Sequence, residues 1–249
     1  MKLMVVGTTL LAAVIATGCA KPYDPFRIPQ EELRQRVKTI AVARVVVPPN
    51  VDGPGGASAK FHPALETRLE AAGFKVVPAD RVREVWDAKA NELGGLFDPQ
   101  TGALNEEKAN ALMNHVRGQM KERFSADALA LPYVRTVTAG FGSAPFAGIT
   151  ARWDGASESI TTSSWDSVLP PNVSGKIPAL SLFVRIEDLT GTVLYLKAGG
   201  IQVVEKLVAL PSGFRSNNFV AVPKSELFAD PQRIQQAVNY ALEPFFKPQ

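Results

Sequence analysis

Few side chains in this chain of 249 residues stand where they could do chemistry, and the first of them is Cys19. It is the only cysteine, so its thiol has no partner within the chain for a disulfide. Residues Leu3–Thr17 before it are apolar or small throughout, after a positive start at Lys2. That length is typical of an export signal, because a membrane-spanning helix needs about 20 apolar residues. The sequence predicts a signal peptide over residues 1–18 and Cys19 as the first residue of the mature chain.

The small residues Ala16, Thr17 and Gly18 directly precede Cys19, as cleavage by a signal peptidase requires. This arrangement resembles the signal of bacterial lipoproteins, whose pattern prefers Leu where this chain has Ala16. The resemblance implies lipid attachment at Cys19, with a diacylglycerol on the sulfur and a fatty acid such as palmitate on the new N-terminus. An ordinary secretory signal with an incidental cysteine is the alternative. Ala20 stands where Asp favours inner-membrane retention in enteric bacteria, so the resemblance implies the outer membrane, with the protein facing the periplasm.

The composition sets further bounds on function. Hydrophobic residues at 46% and charged residues at 20% are ordinary values for a globular protein, which excludes wholesale disorder. A net charge of +3 would permit contact with an anionic membrane surface. It does not resemble the footprint of a nucleic-acid-binding protein, and export argues against such a partner.

The predicted mature chain divides into a tether and one domain. Residues 19–36 are predicted to form the lipidated N-terminus and tether, because Ala20–Gln30 holds three prolines and no apolar period. Residues 37–249 are predicted to form a single domain, since no internal repeat or low-complexity block divides them.

The first half of this domain alternates strands and helices, which is the pattern of an α/β layer. Asp80 is expected to cap the second helix, and Pro132 suggests an edge position or a bulge in the last strand. The predicted elements are strand Lys38–Val47, a helix opened by His62 and Pro63, strand Phe74–Pro78, a helix after Asp80, a helix from Asn105, and strand Asp127–Thr138.

The second half favours antiparallel strands. Ile149–Asp154 alternates apolar and polar residues, and so do Ala179–Glu187 and Thr192–Lys206, which the turn sequence Asp188–Gly191 joins into a hairpin. Gly199 and Gly200 suggest a bulge or a close backbone approach. Asp230 and Pro231 open a closing helix. The predicted fold class is α/β (α+β), with helices packed on a mixed sheet and antiparallel hairpin strands in the second half.

Metal and cofactor sites are not expected. The two histidines, His62 and His115, lie far apart in sequence and lack a cysteine partner in the mature fold. The glycine-rich segment Gly53–Gly56 follows the first strand, but it lacks both nucleotide-binding patterns, and Pro54 removes a backbone donor. A plain loop is the simpler interpretation.

The evidence for catalysis is equally thin. Ser58 lies near His62 without an evident carboxylate to orient the imidazole. Glu158 and Asp166 could form a carboxylate pair of the kind that hydrolyses glycosides, which leaves a periplasmic hydrolase as a minor alternative. We therefore expect no enzymatic activity.

An interaction role has more support, because aromatic residues are concentrated in the Gly- and Ser-rich second half, where they can anchor a partner. Half or more of these rings are expected in the core. The segment Ser157–Ser167, with Trp165 inside it, is the predicted contact with an envelope protein. The aromatic residues concerned are Phe141, Phe146, Trp153, Trp165 and Phe183.

A family resemblance covers residues Lys38–Val134. The stretches KTIAV, AGFKVV and ADALALPYV, with Asp80 opening a helix between the last two, resemble the α/β lipoproteins related to curli secretion channels and to the N-terminal domain of the Tol translocation protein. The resemblance implies an envelope assembly factor without catalytic residues, and it leaves an oligomeric secretion-channel subunit as an alternative. In the channel case Ala179–Lys206 would form the channel hairpins, although charges such as Arg185 favour a soluble sheet.

Overall fold

The computed structural model of the protein describes residues 23–52, 56–144, 148–161, 173–207 and 219–247. Cys19, Phe146, Trp165 and Asp166 lie outside these ranges, so the predictions placed on them stay predictions.

The described chain has α/β architecture, as the sequence predicted. Five helices accompany a mixed sheet of seven strands and a small antiparallel sheet. In chain order the elements are α1 Gln30–Arg36, β1 Thr39–Val42, α2 Ser58–Ala71, β2 Lys75–Val77, α3 Ala79–Glu92, α4 Glu106–Phe124, β3 Ala128–Ala144, β4 Gly148–Trp153, β5 Ala156–Ser159, β6 Ser174–Asp188, β7 Val193–Val203, β8 Glu205–Leu207, β9 Phe219–Ala221 and α5 Pro231–Leu242, followed by a 3-10 turn Glu243–Phe246.

The two long strands β3 and β6 form the centre of the sheet. They pair antiparallel from Ala128 opposite Asp188 to Gly142 opposite Ser174. On the other side of β3, its first residues pair in parallel with β1, and its last residues pair antiparallel with β4. β2 extends the sheet beyond β1, β5 extends it beyond β4, and β7 extends it beyond β6. The hairpin predicted between the last two runs is therefore confirmed in β6 and β7.

Helices cover both faces of the sheet around β1, the first half of β3 and the second half of β6, and each helix buries an apolar stripe. α2 and α5 pack on one face, where Leu65 and Val238 meet Leu182 of β6 in the largest core cluster. α3 and α4 cover the other face, where Val116 lies in a second cluster with Leu129 of β3. Each stripe follows the 3.6-residue period that its sequence predicted.

The other end of the sheet, formed by β4, β5, the end of β3 and the start of β6, curls back on itself around a third core cluster. The amide of Gly200 in β7 donates to the carbonyl of Asp154 at 2.9 Å, and the amide of Leu207 donates to the carbonyl of Ile160 at 2.6 Å. Thr161 and Leu207 form an isolated parallel bridge. These contacts join the β4–β5 hairpin to the β7 side of the sheet.

Gly199 and Gly200 make the close approach that their sequence suggested. A Cβ added to Gly199 would lie 2.0 Å from the carbonyl oxygen of Ala237 in α5. One added to Gly200 would lie 2.5 Å from Cβ of Ala156. The register of β6 against β7 also shifts here, between Leu180 and Ser181. Only glycine lets α5 and the β4–β5 hairpin come so near to β7.

The predicted tether is wrong in its described part. Phe26 is 8% exposed and forms an antiparallel bridge with Tyr195 of β7. The amide of Arg27 donates to the carbonyl of Leu194 at 2.9 Å, and α1 follows with its Leu33 fully buried. The prolines keep this segment extended, and its Phe supplies apolar area that stabilises the extended chain along the edge of β7.

Two predicted helix starts also need correction. α2 begins at Ser58, so that His62 and Pro63 lie within the helix. α3 begins at Ala79 after Pro78, and the carboxylate that accepts the Ala79 amide belongs to Glu66 of α2, at 2.9 Å. A carboxylate from a neighbouring helix thus satisfies an N-terminal amide without a local capping side chain, which no short-range pattern could reveal.

Pro132 lies in the central strand β3, opposite an irregularity in the segment that follows β1. The amide of Ala43 donates to Ala130, and the next donor to β3 is Val46, which bonds to Pro132 at 3.1 Å. Donors in a regular parallel ladder are two residues apart, so the segment after β1 bulges by one residue. The expectation of an edge position or a bulge in the strand that holds Pro132 is therefore wrong, because β3 is central and pairs with β6 in unbroken register, and the bulge lies in the neighbouring segment after β1.

Candidate partner-binding site

A row of apolar side chains crosses four neighbouring segments of the sheet, in the middle of one face. Val46 bridges to Tyr133 of β3, Tyr133 pairs with Phe183 of β6, and Phe183 pairs with Ala198 of β7. Val46 is 63% exposed, and the other three are half-buried. We call these four residues the aromatic row.

The rings of Tyr133 and Phe183 stack at the centre of this row. Their centroids are 5.2 Å apart, and the ring planes differ by 5°. A stacked pair of this kind contributes about 0.5–1.5 kcal/mol beyond its buried area, so the pair is a preorganised surface. Residues on this face alternate with those that enter the core under α5, which explains why aromatic side chains stand here in a core strand.

Arg135 adds a charge beside the row. It lies two residues beyond Tyr133 and therefore on the same face of β3, and its side chain is exposed. Within the described ranges no hydrogen bond or ion pair is found for it. A free guanidinium next to an aromatic pair can bind a carboxylate in a bidentate way while the rings contact an apolar side chain.

A buried ion network supports the other side of the row. Glu187 is 2% exposed, and Arg117 of α4 donates to its carboxylate at 2.8 Å. Arg185 of β6 pairs with the same carboxylate. Because Arg117 comes from α4 and Glu187 from β6, this network fixes the helix layer against the strand that carries Phe183.

The sequence singled out one of the two stacked rings. Phe183 was among the aromatic residues expected to contact a partner, but Tyr133 was missed because it lies in an apolar run typical of a buried strand. Trp153 is 8% exposed and its indole N–H donates to the carbonyl of Leu180 at 3.1 Å, so it is a core residue. Phe141 packs against the third core cluster.

His62 lies half-buried on α2, at the end of β1. Burial lowers its pKa below the usual 6.5, and Arg83 and Arg44 act in the same direction, whereas Glu66 and Asp80 oppose them. The amide of Val45 points at Nε2 from 3.5 Å. The neutral imidazole is therefore favoured, and it accepts rather than donates at this nitrogen.

The residues considered for catalysis have other contacts. The buried hydroxyl of Ser58 has no hydrogen-bond partner within the described ranges, His62 included. Glu158 accepts the amide of Val203 at 2.9 Å and pairs with Arg233 of α5 at 2.7 Å, which ties β5 to β7 and α5. His115 lies half-buried on α4. These contacts connect structural elements rather than assemble a nucleophile, a base and an orienting group.

A shallow depression of about 230 Å³ lies at the lower end of the sheet, where α1 and α4 meet the β6–β7 turn. Its carboxylates are engaged. Asp127 accepts the amides of Lys38 and Thr39, and Asp188 accepts those of Thr190 and Thr192 and thereby shapes the turn. Partial burial raises the pKa of the Asp188 carboxyl, but hydrogen bonds from Thr190 and Thr192, together with the charge of Arg36, hold that pKa below its usual value.

A small hairpin between α3 and α4 exposes two further apolar side chains. Phe97 and Leu104 form an antiparallel bridge and are 63% and 51% exposed. Asp98 holds the turn by accepting the amide and hydroxyl of Thr101 and the amide of Gln100, which lowers the pKa of its carboxyl. Unlike the aromatic row, this tip has acidic neighbours at Glu106 and Glu107.

Within the described part of the chain, no group of three or more His, Cys, Asp or Glu side chains is arranged to hold a metal ion. Likewise, no helix among the described residues is both long and apolar enough to cross a bilayer.

Comparison of the chain with protein-family models, with characterised proteins and with solved structures gave no match. The resemblance to the curli-channel and Tol lipoproteins therefore stays a prediction. Function has to be inferred from the chemistry of these surfaces.

Proposed function

We propose that this protein is a lipid-anchored lipoprotein of the bacterial envelope, acylated at Cys19 and facing the periplasm, most simply on the outer membrane. It acts without catalysis, as a binding or assembly factor. Its partner is an envelope protein that presents an apolar segment with an acidic side chain.

The aromatic row is the observation that carries this proposal. Tyr133 and Phe183 offer a flat apolar surface, and Val46 beside them is 63% exposed. Contiguous apolar side chains on a protein surface are typical of interaction sites. Arg135 at the rim would pair with a carboxylate of the partner, which selects against basic segments.

Photo-crosslinking in living cells tests the partner directly. A benzophenone amino acid placed at Val46 should trap one specific envelope protein. The same amino acid at Val220 of β9 is the matched control, because Val220 is another strand valine, 52% exposed, away from the row. A third position at Trp165 tests whether the segment Ser157–Ser167 contributes to the same contact.

Charge reversal then tests the recognition. Arg135→Glu should reduce capture at Val46 by at least tenfold, because it removes the guanidinium that pairs with the partner's carboxylate and adds repulsion. Arg152→Glu is the matched control, since Arg152 is an exposed arginine on the neighbouring strand β4. Equal crosslinking at Val46 and Val220, or capture that Arg135→Glu leaves unchanged, would refute the assignment of the row as the binding site.

The anchor is tested separately. Mass spectrometry of the mature N-terminus should find acyl chains on Cys19, and Cys19→Ser should release the protein from the membrane fraction. Two or three acyl chains hold a protein firmly, because each buried methylene contributes about 0.8 kcal/mol. An unmodified N-terminus would overturn this part of the proposal.

A further inference from the structure

A second surface surrounds the point where the described chain begins. We call Tyr23, Lys197, Tyr240, Phe246 and Lys247 the anchor face. Its three aromatic residues are exposed, Tyr23 by 60%, Tyr240 by 37% and Phe246 by 39%. The side chain of Lys247 is 65% exposed.

Direct contacts make this surface continuous. The hydroxyl of Tyr23 donates to the carbonyl of Leu196 at 2.8 Å, one residue before Lys197. The ammonium group of Lys197 lies 4.1 Å from the centre of the Tyr240 ring. Lys197 and Lys247 both pair with Glu243, at 3.5 Å and 2.8 Å.

Basic side chains lie over all three rings. The guanidinium of Arg68 lies 3.6 Å above the ring of Phe246, and that of Arg27 lies 5.5 Å above the ring of Tyr23. The basic side chains that contact the rings or Glu243 are Arg27, Arg68, Lys197 and Lys247, of which Lys197 is only 15% exposed.

The covalent chain limits how far this surface can stand from the lipid. Tyr23 is the fourth residue after Cys19, and a fully extended chain spans at most about 14 Å over that distance. Tyr23 itself is held on the sheet through Phe26, so this spacer cannot lengthen without breaking buried contacts. An acylated Cys19 would therefore keep Tyr23, at the start of the anchor face, within about 14 Å of the lipidated residue.

We propose that the anchor face rests on the lipid headgroups of the membrane, with its rings among the headgroups and its cations on anionic phosphates. This orientation depends on the proposed acylation of Cys19. Tyrosine and phenylalanine rings beside basic side chains are the composition that membrane–water interfaces favour. Each basic residue near an anionic leaflet strengthens binding by about fivefold.

Fluorescence quenching in vesicles tests the orientation with the acylated full-length mature protein. Vesicles of phosphatidylethanolamine and phosphatidylglycerol would carry a nitroxide on the headgroup. The tryptophan added by Phe246→Trp should be strongly quenched, measured as the difference from the parent protein. Phe97→Trp is the matched control, because Phe97 is an exposed phenylalanine on the hairpin tip between α3 and α4. It should not be quenched.

A charge series tests the chemistry without the acyl chains. The full mature chain with Cys19→Ala should bind phosphatidylglycerol vesicles weakly and in a salt-sensitive manner. Adding Lys247→Gln should weaken that binding by about fivefold, whereas the control Lys75→Gln, on the free edge of β2, should leave it unchanged.

The outcomes separate the two proposals. Acylated protein that binds vesicles, with equal quenching at both introduced tryptophans or none, would overturn the orientation and leave the anchor intact. Equal effects of Lys247→Gln and Lys75→Gln would overturn the headgroup contact. A mature N-terminus without acyl chains would overturn the proposed anchor and this orientation with it.

Discussion

Phe26→Ala should destabilise the domain, because the segment that the sequence predicted as a tether is part of its core. The ring is 8% exposed and makes edge contacts with Tyr195 and Phe245, at centroid distances of 5.1 Å and 5.2 Å. Truncation of a buried Phe to Ala costs about 3–5 kcal/mol. The position lies at the edge of the sheet and can relax, so we expect about 3 kcal/mol.

Local undocking sets a ceiling on this loss. If the segment leaves the sheet while the rest stays folded, the measured cost cannot exceed the free energy of docking. Two backbone hydrogen bonds report that opening, from the amide of Arg27 to Leu194 at 2.9 Å and from the amide of Leu196 to Pro25 at 3.0 Å. Their hydrogen exchange should accelerate in Phe26→Ala by at least tenfold.

Urea unfolding followed by circular dichroism measures the global loss, and amide exchange by NMR measures the local one. Tyr23→Phe is the control, since it removes only two exposed hydrogen bonds, to Leu196 and from Arg27, and should cost less than about 1 kcal/mol. An unchanged unfolding midpoint in Phe26→Ala, together with unchanged exchange at Leu196, would show that the docked segment does not contribute and would refute this reasoning.

Three other perturbations have defined outcomes. Gly199→Ala should lower the free energy of unfolding by about 1–3 kcal/mol, because its Cβ would lie 2.0 Å from the carbonyl oxygen of Ala237, as measured by urea titration. Glu187→Gln should cost about 3 kcal/mol in the same assay, since it leaves Arg117 and Arg185 without their shared carboxylate. The pKa of His62 is lower in the folded protein, so the unfolded chain binds the proton more readily. The free energy of unfolding is therefore unaffected by this group above about pH 7.5 and decreases as the pH drops through 6.5. His62→Gln should flatten that part of the stability–pH profile, measured by thermal unfolding between pH 8 and 5.5.

Each of these predictions has a result that contradicts it. Gly118→Ala is the control for the first, since a Cβ at Gly118 would meet nothing within 4 Å, and equal losses for both glycines would contradict the close-approach argument. A fully stable Glu187→Gln would mean that the ion network contributes little. For His62, an unaltered profile in the Gln variant would assign the acid sensitivity to other groups.

The sequence predicts elements well where pattern and packing agree. The stripe of α5 and the cap at Asp230 follow from local rules, and the Asp230 carboxylate indeed accepts the amide of Gln232 at 2.8 Å. Asn105 caps α4 in the same way. The close approach at Gly199 and Gly200 could be predicted because glycine within an alternating strand typically marks a bulge or a site where another backbone comes close.

Long-range contacts explain what the sequence could not predict. Phe26 looks like part of a polar, proline-rich tether until Tyr195 and Phe245 are placed beside it. Tyr133 looks like a core residue because Leu129 and Leu131, on the same face of β3, pack in the second core cluster. Glu66 caps a helix other than its own. In each case the deciding neighbour lies in another element, which residue periodicity does not encode.

The two proposed surfaces belong to opposite faces of the sheet. Lys197 pairs in register with Val184, which lies in the core under α5, whereas the next residue, Ala198, pairs with Phe183 of the aromatic row. Adjacent residues of a strand point to opposite faces. A domain that rests on the membrane through the anchor face would therefore hold the aromatic row away from the lipid, open to a partner.

A longer spacer tests whether this arrangement matters. Inserting about twelve Gly and Ser residues before Tyr23 would raise the maximum reach from Cys19 to more than about 50 Å. The acyl anchor would remain, but the anchor face would lose its enforced proximity to lipid, so quenching of the tryptophan in Phe246→Trp should fall toward that of Phe97→Trp. If the spacer only keeps the protein on the membrane, quenching should stay as in the parent, and the short link would have no part in orientation.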